Sequence, residues 1–400
     1  MSSSPIPLES LLPETYAGTI AGPETDPVAD AEPREVEIEL PIGPPLKAES
    51  PVLTRAPRHK LSKKYRLLRA FLTGQPVWVT WQVTYNCNYG CSFCTYWQND
   101  YQPHEENSLE DFAIGAEKLA DLGSLIISLA GGEPMLRRDV HRIIEILAQD
   151  HFPYMTTSGS GMTPKRARQI WEAGCWGVSV SIDYADAEKH AEHRGVKYAY
   201  ERAISAIEQL KEARTDTDVQ RVQIISVLTD DNLEEMPKLC ELARDLGVYW
   251  QVQPYSVMKT GEDGQRHLPG ATEVLLELKD RHPETFHANR VYLEQFEDAV
   301  NDGIDGCIAG RGMFNVDNRM VVSKCVEFNE EEPCGNLRDD PLDDVIDNLH
   351  RAHETNTCTA CWYSCRGEVE VLYSLRGFYH SMHSFLYQSR GEQRSAAPVE

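Results

Sequence analysis

From Pro76 to Arg281 the chain alternates strand-like and helix-like segments six times, and this alternation limits the fold more than any other feature. Val77–Thr84 is β-branched and aromatic, as a strand is. Leu109–Leu122 repeats apolar residues at helical spacing behind Ser108, a plausible N-cap. Further strands are expected at Leu125–Leu129, Tyr154–Thr157, Gly177–Ser181, Val222–Leu228 and Tyr249–Gln253. Helices are expected at Val140–Gln149, Pro164–Ala173, Tyr198–Ala213, Leu233–Leu246 and Ala271–Arg281. Six β-α units in succession predict an α/β fold: a parallel sheet with helices outside, open or partly closed as a barrel. In such folds the site lies at the C-terminal ends of the strands.

The flanking regions differ. Residues 1–50 hold nine prolines and ten acidic residues, with only Arg34 and Lys47 as bases. That composition predicts a disordered acidic tail over 1–54. Over 55–75 the charge reverses, with Arg55, Arg58, Lys60, Lys63, Lys64, Arg66 and Arg69. Leu61, Tyr65, Leu68 and Leu72 recur at helical spacing, so this is a basic amphipathic helix. It either packs on the main domain with a solvated basic face or meets an anionic membrane surface or acidic partner. The α/β domain is expected over 76–285 and a cysteine-rich domain over 286–367, entered through a helix at Val291–Val300. A C-terminal helix and tail fill 368–400. Leu372, Leu375, Phe378, Tyr379, Met382, Phe385 and Leu386 form an apolar stripe there, expected to pack against the core.

Charge excludes one class of partner. There are 39 Lys and Arg against 63 Asp and Glu, a net charge of −24. Nucleic acid is not expected, because phosphate binding needs a net basic face. No apolar run reaches the length of a membrane span. Met1 to Tyr16 lacks the basic-then-apolar pattern of a signal peptide, so a cytoplasmic location is expected.

The chain has 11 cysteines, an odd number that argues against a disulfide framework in a reducing compartment. Cys175 and Cys240 stand alone in helix-like segments and read as small buried apolar residues. The others cluster, which points to metal or iron–sulfur ligation. Cys87-Asn-Tyr-Gly-Cys91-Ser-Phe-Cys94 follows the first strand directly. Three thiolates complete neither a zinc tetrahedron nor the four cysteines of an ordinary four-iron cube. They leave one iron open, as a catalytic site needs. A zinc site completed by a distant residue is the alternative.

These ordered motifs strongly resemble the radical S-adenosylmethionine (SAM) superfamily, over about residues 76–285. Cys87, Cys91 and Cys94 match that family's cluster-binding motif. Phe93 stands at its usual aromatic position, which implies an approach to the adenine. Gly131-Gly132-Glu133-Pro134 matches the "GGEP" element, implied to receive the methionine amino group. Glycines permit close backbone approach, and a carboxylate can pair an ammonium. Ser158, in Thr157-Ser158-Gly159, replaces the asparagine of a common "TNG". Ser181-Ile182-Asp183 and His193-Arg194-Gly195 resemble the next conserved region, with Tyr184 for a usual glycine and Ala191 for a usual aspartate. Arg194 is implied as the partner of the methionine carboxylate. The resemblance implies a partial (β/α)6 barrel and a SAM-binding [4Fe-4S] cluster. It also implies one-electron cleavage of SAM to a 5′-deoxyadenosyl radical that abstracts hydrogen from a substrate carbon. The electron would come from an external donor such as flavodoxin or ferredoxin.

The second cysteine group is Cys307, Cys325, Cys334, Cys358, Cys361 and Cys365. An upstream pair and a downstream C-x2-C supply four thiolates, enough to close a cluster. The arrangement resembles the SPASM/twitch extension of radical SAM enzymes, over about residues 305–367. No cysteine follows Cys365, so the twitch form with one auxiliary [4Fe-4S] cluster fits better. The implied ligands are Cys307, Cys325, Cys358 and Cys361, with Cys334 and Cys365 as substitutes or free thiols. Asn318-Arg319 replaces the usual Asp-Gly turn, and Asn318 tolerates the left-handed conformation. A zinc-ribbon-like site is the alternative here.

The resemblance implies a small-molecule or peptide substrate. The polar tail in front of the barrel weakens the reading as a peptide maturase. The basic helix and the aromatic terminal helix leave room for a lipid substrate with peripheral membrane contact. Gln251, Gln253 and Tyr255 either face the substrate or simply line a barrel mouth. From another class, the chain could be an iron–sulfur carrier or sensor, which needs no SAM pocket.

Overall fold

Six strands pair in parallel and in chain order: β1 (Trp78–Thr84), β2 (Ile126–Gly131), β3 (Phe152–Thr157), β4 (Gly177–Ser181), β5 (Arg221–Leu228) and β6 (Tyr249–Pro254). This computed structural model describes residues 61–98, 105–217, 219–256, 258–260, 268–328 and 332–381. The expected tail over 1–54, the bases Arg55, Arg58 and Lys60, and Met382, Phe385 and Leu386 lie outside the described residues.

Strand alternation sorts the side chains into two layers. In β1, Val79, Trp81 and Val83 face the helical layer and join the main core, where Trp81 packs against Phe112 at 5.0 Å. Trp78 and Thr80 face the other way and line a lumen. Ile126 and Ser128, Tyr154 and Thr156, Gln223 and Ile225, and Gln251 and Gln253 do the same from other strands, so the sheet curls around one cavity.

The crossovers are α2 (Leu109–Leu119), α3 (Val140–Ala148), α4 (Pro164–Glu172), α5 (Ala187–Arg194), α6 (Ala199–Ala213), α7 (Met236–Leu246) and α8 (Ala271–Arg281); before them lies α1 (Lys63–Leu72). Ser108 caps α2 in a capping box with Asp111, and Thr163 caps α4 ahead of Pro164. The helix expected over Val291–Val300 is broken at Gln295 into α9 (Arg290–Glu294) and α10 (Phe296–Asn301). Then β7 (Met313–Val316) joins the free edge of β1 in parallel, and β8 (Val321–Ser323) and β9 (Pro333–Asn336) extend the sheet antiparallel. Next come α11 (Leu342–Glu354) and α12 (Ser364–Leu372); residues 375–381 are again helical. Among the described residues no helix is long and apolar enough to cross a membrane.

Four local expectations are corrected. Helix α1 turns two of its bases, Lys63 and Arg66, towards the main domain, while Lys64 and Arg69 stay exposed. Lys63 Nζ donates to Ala148 O (2.7 Å) and His151 O (3.1 Å), and Arg66 donates to Ala120 O (2.7 Å) and pairs with Asp150 (2.8 Å). Carbonyls left open at the ends of α2 and α3 attract these cations. Leu61, Tyr65, Leu68 and Leu72 are therefore left exposed. Within the described part of the terminal stripe, Leu372 lines the lumen, but Leu375 is 94% exposed and Tyr379 66%, so these two do not pack against the core. The left-handed residue of the β7–β8 turn is Met320 (φ 69°), not Asn318. Asp317 Oδ1 accepts from Arg319 N (2.7 Å) and Val321 N (2.8 Å), which moves the reversal to residue 320. Helices α5 and α11 were not anticipated.

Candidate active site

The loop carrying Cys87, Cys91 and Cys94 leaves the C-terminal end of β1, and three neighbouring loops strap it down. Gly132 N donates to Thr84 O (2.8 Å) and Glu133 N to Asn86 O (2.8 Å). Asn88 Nδ2 donates to Ser160 Oγ (2.7 Å), and Ser92 N to His193 O (3.1 Å). Close approach makes two glycines necessary. A Cβ on Gly132 would stand 2.0 Å from Asn86 O. Gly195, at φ +66°, ends α5 in the left-handed region, and a Cβ there would stand 2.6 Å from Gly90 O. Cys87 and Cys94 pack on the small cluster of Tyr89, Cys91, Phe93, Ala199 and Tyr255. Burial pushes the Cys87 thiol up to about 12 and the Cys91 thiol up to about 11.

Glu133 is buried and turned towards β3. Its Oε1 accepts from Met135 N (2.9 Å) and Thr157 Oγ1 (2.7 Å). Its Oε2 accepts from Ser158 N (2.7 Å) and Ser158 Oγ (2.6 Å). Burial raises its pKa above the usual carboxyl range despite these four bonds. Glu133 and Ser158 thus lock the second and third loops together, a use that the implied ammonium contact did not include.

Ser181 ends β4, and Asp183 lies just beyond it, fully buried. Asp183 Oδ1 accepts from Val227 N (2.8 Å), and Oδ2 pairs with Arg194 Nη2 (2.6 Å) and faces His193 Nε2 (3.6 Å). Burial opposes the Asp183 charge, but Arg194 and then the histidines outweigh it and hold its pKa below the usual range. Arg194 also directs Nη1 at Cys91 Sγ (3.9 Å) and lies 5.0 Å over the Phe93 ring, which stacks on His193 at 4.6 Å. So Phe93, Asp183 and Arg194 share one cluster with the cysteine loop.

Among the polar atoms buried here without a hydrogen-bond partner in the described residues are Arg194 Nε and Asn88 Oδ1, beside Tyr89 Oη. A donor and an acceptor left open in a buried site suit a ligand carrying both a carboxylate and an ammonium. Arg202 Nη1 is similarly unpaired, and Arg202 lies beside Tyr89. The sequence reading missed Arg202, because one base on an amphipathic helix carries no local signal.

Cys307, Cys325, Cys358, Cys361 and Cys365 line one small cavity, together with Lys324, Asn356 and Arg366. Burial pushes the thiols of Cys325, Cys361 and Cys365 up, the last to about 12. Cys334 lies apart in the main core, with its Sγ directed at Glu332 O (3.7 Å). Cys365 also lines the lumen, so α12 separates the two cavities. Lys259 bridges the two cysteine regions. It stands 4.7 Å over the Tyr96 ring, two residues past Cys94, and 2.9 Å from Glu327 Oε1, two residues past Cys325. Tyr363 Oη donates to the same Glu327 oxygen (3.2 Å). Among the described residues no three Cys, His, Asp or Glu side chains converge as tightly as the ligands of a single metal ion.

Residues 81–243 match the radical SAM superfamily model. The AdoMet-dependent heme synthase of Methanosarcina barkeri is 29% identical over 304 residues, 69% of this chain and 84% of that protein. The mycofactocin maturase MftC of Mycolicibacterium smegmatis is 27% identical over 218 residues, 54% of each chain. The crystal structure of Streptococcus suis SuiB bound to S-adenosylmethionine shares the fold, with a TM-score of 0.56 at 16% identity over 70% of this chain and 68% of that one. Residues 81–243 thus form a radical SAM domain.

Proposed function

We propose that the chain binds one [4Fe-4S] cluster on Cys87, Cys91 and Cys94 and an auxiliary one on Cys307, Cys325, Cys358 and Cys361, and acts on a substrate held in the lumen. When bound, the first cluster and SAM together supply a 5′-deoxyadenosyl radical, through one-electron cleavage of the sulfonium, that can take a hydrogen atom from that substrate. The supporting observation is that the Gly131–Pro134 loop and the Asp183–Arg194 pair converge on the cysteine loop, whose Phe93 and Cys94 line the lumen.

The protein's part is to bind, orient and exclude water. Gly132 brings backbone against the cysteine loop, where the amino group of SAM would sit. Arg194, aimed by Asp183, offers Nε to the carboxylate, and Phe93 offers a ring face to the adenine. Ser181 ends the neighbouring strand beside them. Glu133 and Ser158 hold this mouth in shape. Lys259 places a cation beside Cys94, where it favours negative charge on that thiol, and pairs with Glu327 next to the second group. Cys365 faces the auxiliary cavity as an alternative fourth thiol. A flavodoxin or ferredoxin is the expected electron donor and the cytoplasm the expected location. The relatives' names include a heme synthase and a maturase, so the substrate class has to come from this chain's own lumen.

Iron counting after anaerobic reconstitution tests the ligand sets. The wild-type protein should hold about eight irons per chain, two cubes' worth. Cys87/Cys91/Cys94→Ala and Cys307/Cys325/Cys358/Cys361→Ala should each hold about four, and Cys334→Ala about eight. A full complement in either multiple variant contradicts that assignment.

A further inference from the structure

The lumen runs the length of the barrel instead of ending beneath the cysteine loop. Phe93, Cys94, Val227 and Tyr255 line its upper end, and Trp78, Ile126, Tyr154, Trp176 and Arg221 its lower end, where the strands begin. Arg221 and Val227 lie on one strand six residues apart, a span of about 20 Å. The volume is about 460 Å3, within the range of ligand sites. A site drawn out in this way takes a chain more readily than a disc or a compact metabolite.

Its wall suits an apolar chain. Six polar lumen side chains pair with one another: Tyr154 Oη with Ser179 Oγ (2.5 Å), Gln223 Nε2 with Ser179 Oγ (2.8 Å) and Gln251 Oε1 (2.7 Å), and Ser364 Oγ with Gln253 Oε1 (3.2 Å); Lys259, which also lines the lumen, is held by Glu327 (2.9 Å). A peptide would have to break these pairs to satisfy its own backbone. The closing wall is one face of α12, with Glu368, Val369 and Leu372. Burial pushes the Glu368 carboxyl up to about 7. Trp78 has its indole Nε1 buried without a partner, the one such polar atom among the lining residues described.

The lower end adjoins a surface that soluble proteins rarely expose. Phe71 of α1 packs against Tyr373 (4.8 Å) and Phe378 (6.0 Å), which joins α1 to the helical turn at 375–381. Around this joint Leu61, Tyr65, Leu68, Leu72, Leu375 and Tyr379 are all exposed. Lys64 and Arg69 are exposed among them, although the whole chain carries −24. Apolar and aromatic side chains interleaved with bases form the footprint of a helix lying in a bilayer interface.

We propose that the lumen binds the long apolar chain of a membrane lipid, taken from a bilayer on which α1 and residues 373–379 rest. This rests on, and deepens, the radical SAM reading. The lipid's polar end stays at the lower mouth, where Arg221 lies over the Trp176 ring at 5.1 Å and Trp78 offers Nε1. The far end of the chain lies under Phe93 and Cys94, so the carbons that lose hydrogen are distant from the headgroup.

The test uses the full-length purified protein, cis-parinaric acid, and vesicles of phosphatidylcholine with phosphatidylglycerol. Parinarate fluorescence should report saturable binding, weakened at least tenfold by Ile225→Trp, which fills the lumen midway. Ile225→Ala, which widens it, should retain binding. Thr80→Trp, from the facing strand, replaces the first block if that variant does not fold. The protein should float with the vesicles, and Leu68→Glu/Phe378→Glu should reduce flotation at least tenfold. No parinarate binding, equal binding by the blocked and wild-type lumens, or no flotation would overturn the proposal. Formation of 5′-deoxyadenosine, measured separately, keeps the two readings apart. If it forms while parinarate does not bind, only the lipid proposal fails. Lipid capture with no SAM cleavage supports the lipid site and removes only the catalytic reading.

Discussion

At the scale of single residues, the site depends on close approach and on one buried ion pair. Gly132 has no room for a methyl group beside Asn86 O. Gly132→Ala should part the two loops, costing about 1–3 kcal/mol. Isothermal titration should show SAM affinity falling at least tenfold while iron content holds. Asp183 serves Arg194 and is fully buried. Asp183→Asn leaves the guanidinium uncompensated, at a cost of about 3–5 kcal/mol. The sign of its pH dependence follows from its depressed pKa. Its stabilisation is fully present above the ordinary carboxyl range and is lost as pH falls through the depressed value. Denaturant melts should therefore show the wild-type advantage over Asp183→Asn at neutral pH and its disappearance in strong acid. The cysteine trio, Phe93 and Arg194 were legible because the spacing of their motifs is local. The saturation of Glu133 was not, since all but one of its partners come from the next β-α unit.

Among the elements, those whose burial is periodic could be read from sequence. The six parallel strands are runs of β-branched and aromatic residues, and their expected bounds fall within two residues of those observed. Helix α5 (Ala-Glu-Lys-His-Ala-Glu-His-Arg) has no apolar stripe, and His190 and Arg194 are its only buried side chains. Helix α11 does have one, in Val345, Ile346 and Leu349, but it sits between cysteines that suggested short strands. The orientation of α1 was illegible, because charged residues were expected to face water. Here Arg66 and Lys63 instead satisfy carbonyls at the ends of other helices. Arg66→Met should cost about 1–3 kcal/mol, by leaving Ala120 O and Asp150 without their donor. A thermal melt should show this, whereas Arg69→Met, on the exposed side, should change it little.

On the scale of the whole molecule, a barrel lumen and a second cysteine cavity share α12 as a wall, with Cys365 on both sides of it. The sequence suggested the two cysteine groups separately. Their adjacency depends on β7 pairing with β1 across more than 200 residues, and no local pattern reports that. We propose that this architecture cleaves SAM reductively. The most direct measurement is mass-spectrometric detection of 5′-deoxyadenosine from the anaerobically reconstituted protein with SAM and a low-potential reductant, beside Cys87/Cys91/Cys94→Ala. 5′-Deoxyadenosine should form with the wild-type protein and stay at background with the variant. A wild-type protein that holds its clusters and binds SAM yet forms no 5′-deoxyadenosine, with or without lipid, would contradict it.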